Sequence, residues 1–160
     1  VNTSAAALRD EELLGGGLVR AAARADLAPS EVVLEITERV AVEERRSYHE
    51  ALRELKRDGF GIAVDDMGAG YSSLQALVEI EPDYMKFDVS MVRQIDVSLI
   101  KRSLLETLVD LARKIGAEVV AEGIETEAEL GTLREMGVRL GQGRFLAAPI
   151  LVPTTATRTP

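Results

Sequence analysis

Two kinds of hydrophobic pattern alternate along this chain. Short runs rich in β-branched residues predict five strands, at residues 32–36, 61–65, 84–88, 117–121 and 138–141. Between them, apolar residues recur every three to four positions at 48–55 and at 104–115, which predicts amphipathic helices. The second helix would bury Leu104, Leu108, Leu111, Ala112 and Ile115. Strands that alternate with helices are typical of βα units, so the sequence predicts an α/β fold with a parallel sheet.

Polar residues mark further boundaries. Thr126 and Glu129 have the spacing of a capping box, which predicts a helix start there, and Ser72–Ser73 would cap another short helix. The alanine-rich stretch 5–28 favours helix, but we expect Gly15, Gly16 and Gly17 to break it, with helix on both sides. Residues 1–4 are interpreted as the end of a sixth strand.

Composition and charge exclude several classes of protein. A length of 160 residues suits one domain or a piece of one, and a net charge of −8 disfavours binding to a nucleic-acid polymer. Cys is absent, which excludes disulfides and thiolate metal sites. No apolar run approaches the roughly 20 residues that a membrane-spanning helix needs, so we expect no direct membrane insertion. The expected location is the cytoplasm, which includes the cytoplasmic part of a membrane-anchored protein.

Acidic and amide side chains stand where the predicted strands end. They are Asn2, Glu35, Glu38, Asp65, Asp66, Asp88, Glu122, Glu125 and Gln142, together with Lys86. The carboxyl ends of parallel strands meet at one rim of a sheet, so we expect these groups to converge. Clustered carboxylates repel each other unless cations bind, and oxygen-only ligands favour Mg²⁺ or Mn²⁺. Two such ions about 4 Å apart are the usual device for attack of water on a phosphodiester.

Each of these residues also has a structural interpretation. Asp65–Asp66 before a glycine suits a turn, and Lys86 suits a structural ion pair. Asn2 suits a helix cap and Gln142 a polar strand end. The glycines at 68 and 70 would permit a tight, mobile loop, although a pair of glycines is weak support by itself. Only the set as a whole favours chemistry.

Five segments carry a resemblance to a known family. They are Glu35-Ile-Thr-Glu38, the run from Asp65 to Leu74, Lys86-Phe-Asp88, Ala121-Glu-Gly-Ile-Glu125 and Gln142-Gly143. In this order and spacing they resemble the EAL-domain family of cyclic di-GMP phosphodiesterases, from Asn2 to about Pro149. The resemblance implies a TIM-like (β/α) barrel with one reversed strand. We expect the domain to span residues 1–150, truncated at its N-terminus, and residues 151–160 to form a tail.

The resemblance also implies a role for each candidate. Asn2, Glu35 and Asp65 would hold one divalent ion, and Asp65, Asp66 and Glu122 the other. Lys86 would contact the attacking water, with Glu122 and Glu125 as the other catalytic groups. Glu38 would brace the loop that contains Gly68, Gly70 and Ser72, and Gln142 would lie near the metals or the substrate. The reaction would be metal-dependent hydrolysis of cyclic di-GMP to the linear dinucleotide.

The chain departs from the family pattern in three places. The motif that names the family, Glu followed by Ala or Val and then Leu, is absent from its expected position, and we expect it upstream of Val1. Met67 replaces a common Phe, and Phe87 replaces a common Ile. Both replacements are apolar and leave the predicted ligands intact.

Two other functions remain open from the sequence. One is a non-catalytic receptor that binds cyclic di-GMP or a protein and signals by changing conformation. The other is a different metal-dependent barrel enzyme that acts on small phosphorylated substrates. The expected partners are cyclic di-GMP, a second copy of the chain in a homodimer, and sensor or GGDEF-type domains in the full-length protein.

Overall fold

A computed structural model describes residues 1–3, 10, 13–37, 47–67, 77 and 80–150. The tail at 151–160, the helix expected before Gly15 and the cap at Ser72–Ser73 lie outside these residues. Within the described ranges, no helix combines the length and the apolar character that crossing a bilayer requires.

The described strands form one parallel sheet. They are β1 Val33–Thr37, β2 Gly61–Met67, β3 Tyr84–Phe87, β4 Glu118–Ala121 and β5 Leu140–Gly141. They lie side by side in chain order, and every neighbouring pair is parallel. Asn2 adds a parallel bridge to Glu35 at the outer edge of β1. The five predicted strands are therefore confirmed, with ends that coincide with the prediction or differ from it by one or two residues.

Helices connect these strands. They are α1 Leu18–Arg24, α2 Ser47–Arg57, α3 Val89–Val92, α4 Leu99–Ile115 and α5 Glu127–Glu135. The predicted break before α1 is present: Gly15 and Gly16 leave helical geometry, and Gly16 has a φ of 82°. The capping box is also confirmed, because Thr126 Oγ1 accepts a hydrogen bond from the backbone of Glu129 and Glu129 accepts one from Thr126. The sequence did not predict α3.

The core lies between the sheet and the helices. Leu34, Ile62, Met85 and Phe87 are buried on the strands, and Leu52 is buried beneath them on α2. These side chains are removed from water almost completely, which makes this layer the main source of hydrophobic stabilisation.

The predicted buried face of α4 was partly wrong. Leu105, Val109 and Ala112 face the core, whereas Leu104 and Ile115 are 48% and 41% exposed. Two apolar stripes overlap on this leucine-rich helix, and the spacing of the residues does not show which stripe is buried. Packing against the sheet selects the stripe at i, i+4 and i+7.

Candidate active site

A bulge near the end of β2 brings two aspartates opposite one lysine. Val64 pairs with Met85 and Met67 pairs with Phe87, so two residues of β2 stand across from Lys86 alone. Those two residues are Asp65 and Asp66. Asp66 adopts a φ of 60°, a left-handed conformation that is uncommon outside glycine. Bulges of this kind redirect side chains next to active sites.

Lys86 lies at the centre of three carboxylates from three other strand ends. Its Nζ atom is 2.7 Å from Glu122 Oε1, 3.0 Å from Asp65 Oδ1 and 3.1 Å from Glu35 Oε2. The lysine is only 8% exposed. The predicted convergence of Glu35, Asp65, Lys86 and Glu122 is thus present in the structure, although these residues are far apart in the sequence. We call these four residues the Lys86 cluster.

The charges of the Lys86 cluster do not balance. Burial by itself lowers the pKa of Lys86, but the neighbouring carboxylates of Glu122, Asp65 and Glu35 outweigh this effect and raise the pKa above its ordinary value. The ammonium therefore stays protonated and carries one positive charge against three carboxylates. The cluster retains an excess of negative charge that further cations would relieve.

Glu35 is positioned by the backbone of the first residues. Its N–H donates to the carbonyl of Val1, and its carbonyl accepts from the N–H of Thr3, both at 2.8 Å. Asn2 lies between these two bonds and is exposed. Asn2 is therefore placed next to Glu35, on the side of β1 away from β2.

Glu122 is positioned from both sides. Its N–H donates to the carbonyl of Phe87 at 3.0 Å, which places it beside the end of β3. Gln142 Nε2 donates to Glu122 Oε1 at 2.8 Å, and the Gln142 N–H donates to Ala121. Gln142 thus contacts the Lys86 cluster through Glu122, at the carboxyl end of β5.

Glu125 makes a different contact. Its Oε2 atom lies 2.6 Å from the guanidinium of Arg93, which follows α3. Arg93 was missed by sequence reasoning, because it stands in a turn with no recognisable motif. The remaining predicted loop residues, Glu38, Gly68, Gly70 and Ser72, lie outside the part of the chain that the structure describes.

The donors present fit a hard divalent cation by their chemistry. All are oxygens, and Asp65 Oδ1 is buried without a hydrogen-bond donor, since its 3.0 Å approach to Lys86 is a charge contact that lacks hydrogen-bond geometry. Among the described residues, no group of three or more His, Cys, Asp or Glu is arranged to hold one ion. The ammonium of Lys86 lies between the carboxylates. A cation can therefore bind only if some carboxylate oxygens turn from Lys86 toward the ion.

Comparison with known proteins decides the family. A sequence model of the EAL domain matches residues 1–149. The chain belongs to the EAL-domain family. It is 36% identical over 124 residues to the cyclic di-GMP phosphodiesterase RocR of Pseudomonas aeruginosa, covering 78% of this chain and 32% of RocR.

Solved EAL structures are also similar. The EAL domain of Mycobacterium smegmatis DcpA has a TM-score of 0.87 and 32% identity, covering 94% of this chain and 67% of that one. A manganese/cyclic di-GMP complex of Klebsiella pneumoniae BlrP1 has a TM-score of 0.84 and 34% identity, covering 89% of this chain and 36% of BlrP1. The predicted α/β, TIM-like barrel class is confirmed, and the five-stranded sheet is part of that barrel. The chain spans about a third of the length of RocR and BlrP1.

Proposed function

We propose that this EAL domain hydrolyses cyclic di-GMP to the linear dinucleotide. The observation that carries the proposal is the Lys86 cluster: one buried ammonium among three carboxylates at the carboxyl ends of parallel strands. RocR is a cyclic di-GMP phosphodiesterase and BlrP1 has been solved with cyclic di-GMP bound, which supports the same substrate. In the reaction one phosphodiester P–O bond breaks, the oxygen of water takes its place, and the leaving ribose oxygen receives a proton.

Two divalent cations, Mg²⁺ or Mn²⁺, complete the site in this proposal. Asn2, Glu35 and Asp65 would hold one ion, while Asp65, Asp66 and Glu122 would hold the other. When bound, the ions supply positive charge at the phosphodiester and activate water. The excess negative charge of the cluster and the orphaned Asp65 Oδ1 support this assignment.

Lys86 acts directly on the reacting groups. Its ammonium is a hydrogen-bond donor at neutral pH, and the neighbouring carboxylates raise its pKa further. In this proposal it orients the attacking water and stabilises negative charge on a phosphate oxygen. Gln142 holds Glu122 in place through its 2.8 Å hydrogen bond. Glu125 supports the site from the same loop as Glu122, and Glu38 braces the loop that contains Gly68, Gly70 and Ser72.

The surroundings of the domain are part of the proposal. The full-length protein contains sensor or GGDEF-type domains. A precedent is the bifunctional diguanylate cyclase/cyclic di-GMP phosphodiesterase MucR of Pseudomonas aeruginosa, which is 33% identical over 127 residues. The domain forms a homodimer and works in the cytoplasm, without inserting into a membrane or binding a nucleic-acid polymer. The net charge of −8 supports the last point.

Turnover by the full-length protein tests the proposal. Cyclic di-GMP is incubated with Mg²⁺ or Mn²⁺, and the linear product is followed for the wild type, Asp65→Asn and Lys86→Ala. We expect the wild type to hydrolyse the substrate and both variants to lose most activity. Lys56→Ala is the matched control, because Lys56 pairs with Asp83 at 3.3 Å away from the cluster. Binding without turnover in the wild type would instead support the receptor function.

A further inference from the structure

Glu129 is a buried carboxylate that the proposed chemistry does not use. It is 4% exposed, at the start of α5. Its Oε2 atom accepts hydrogen bonds from the backbone N–H of Thr126 at 3.1 Å and of Glu125 at 2.9 Å. Its Oε1 atom accepts a third from the N–H of Gln94 at 2.9 Å. A capping box accounts only for the bond from Thr126, so the other two call for a separate explanation.

These two additional bonds join the loops that follow β3 and β4. Gln94 follows α3, in the segment that comes directly after β3, the strand that carries Lys86. Glu125 follows β4 and lies three residues after Glu122. Gln94 has a φ of 60°, a conformation that costs a non-glycine residue free energy unless its surroundings hold it. Glu129 is thus the acceptor that fixes a strained backbone in one loop to the backbone of the other.

Other contacts make the two loops a single unit. An ion pair joins Arg93, the neighbour of Gln94, to Glu125, so it links the same two loops as Glu129 does. Lys101 Nζ donates to the carbonyl of Arg93 at 2.7 Å, which ties this loop to α4. Gly123 packs so closely on Val89 that an added Cβ would lie 2.5 Å from the Val89 Cγ2 atom. A shift of one loop therefore displaces the other, and with it Glu122.

We propose that Glu129 is a positioning residue for hydrolysis: it locks the loops after β3 and β4 together and so holds Glu122 and Glu125 in register with Lys86. This inference rests on the proposed function and assigns a further residue to it. Glu129 touches neither the substrate nor the reacting atoms. Its three bonds to backbone N–H groups require an acceptor at both carboxylate oxygens, which a glutamine cannot supply.

The test compares Glu129→Gln with Thr132→Val in the full-length protein. Glutamine keeps the size of the side chain but places an NH₂ group against at least one of the three backbone N–H groups. Thr132 is the matched control, since it is buried on the same helix and its hydroxyl donates to the carbonyl of Ala128 at 3.0 Å, within α5. We measure kcat and KM for cyclic di-GMP, and amide hydrogen exchange over residues 93–95 and 122–126.

For Glu129→Gln we expect kcat to fall by roughly 10- to 100-fold with KM changed less than the kcat, as is typical when a supporting partner of a metal site is lost. Amide exchange at Gln94, Glu125 and Thr126 should become faster. Thr132→Val should keep the wild-type kcat. A merely structural role would lower thermal stability and leave the kcat of the folded protein unchanged.

An active wild type with equal kcat in Glu129→Gln overturns the inference and leaves the proposed function intact. A wild type without turnover overturns the proposed function instead. The locking of the two loops is then judged by amide exchange: unchanged protection in Glu129→Gln overturns it, and faster exchange confined to both loops supports it.

Discussion

Lys86 and Glu129 are two buried charged residues that the fold treats in opposite ways. Lys86 is 8% exposed and lies among three carboxylates, so its surroundings carry more negative charge than it can neutralise. Glu129 is 4% exposed and receives three backbone hydrogen bonds, and its charge also acts on Arg93, which pairs with Glu125. A buried charge with complete hydrogen bonding holds structure, whereas an unbalanced cluster suits the cation and substrate binding that we propose.

Replacing Lys86 should have the largest effect on stability. Lys86→Ala leaves Glu35, Asp65 and Glu122 without their ammonium, so without divalent cations the free energy of unfolding should fall by on the order of 3 kcal/mol. Saturating Mn²⁺ should restore part of this loss, because cations take over the neutralisation. Urea denaturation with and without Mn²⁺ measures both values. Equal losses in the two conditions would show that Mn²⁺ does not take over the neutralisation that Lys86 provides.

The contact between the two loops gives the next largest effect. Gly123 has a φ of 69°, and its added Cβ would lie 2.5 Å from Val89 Cγ2. Gly123→Ala therefore combines backbone strain with overpacking and should lower the free energy of unfolding by about 2–3 kcal/mol. Chemical denaturation checks the value. A loss close to zero would mean that the loops are free to separate.

The pH dependence of stability tests how much the Glu129 carboxylate stabilises the fold. Burial raises the pKa of Glu129, but hydrogen bonds from Gln94, Glu125 and Thr126 outweigh it and lower the pKa below the ordinary value of 4.5. The stability that Glu129 contributes is therefore complete above about pH 4.5 and is lost as the pH falls through the lowered pKa.

Denaturation between about pH 6 and pH 3 should show a steeper loss for the wild type than for Glu129→Gln, because only the wild type must protonate this carboxyl. The other carboxylates titrate in both proteins, so the difference between the two curves isolates Glu129. Parallel curves would contradict the assignment.

The smallest effect is expected at Gly131, within α5. An added Cβ there meets nothing within 4 Å. Gly131→Ala should raise the free energy of unfolding by roughly 0.5–1 kcal/mol, because alanine loses less backbone entropy in a helix. Thermal unfolding measures it, and a loss of stability would show that the position tolerates no side chain. This variant is also the counterpart of Gly123→Ala, where the same change should destabilise.

The strands and the rim where they end could be predicted from the sequence. Short β-branched runs and segments of helical period each reflect the secondary-structure preference of the local sequence. The sequence also predicted that Glu35, Asp65, Lys86 and Glu122 meet at one rim, because the carboxyl ends of parallel strands point the same way. It missed the pairing of Arg93 with Glu125 and two of the three bonds of Glu129. Those contacts depend on how two loops pack, and no spacing along the chain encodes that packing. The buried face of α4 was predicted only in part, because packing against the sheet selects it.

Titration of Mn²⁺ into the full-length wild type and Asp65→Asn, followed by calorimetry, tests the central claim most directly. The account predicts saturable binding to the wild type that weakens at least about tenfold in Asp65→Asn, because the variant loses a carboxylate shared by both ions. Equal affinity in the two proteins, or no binding to the wild type, would contradict it.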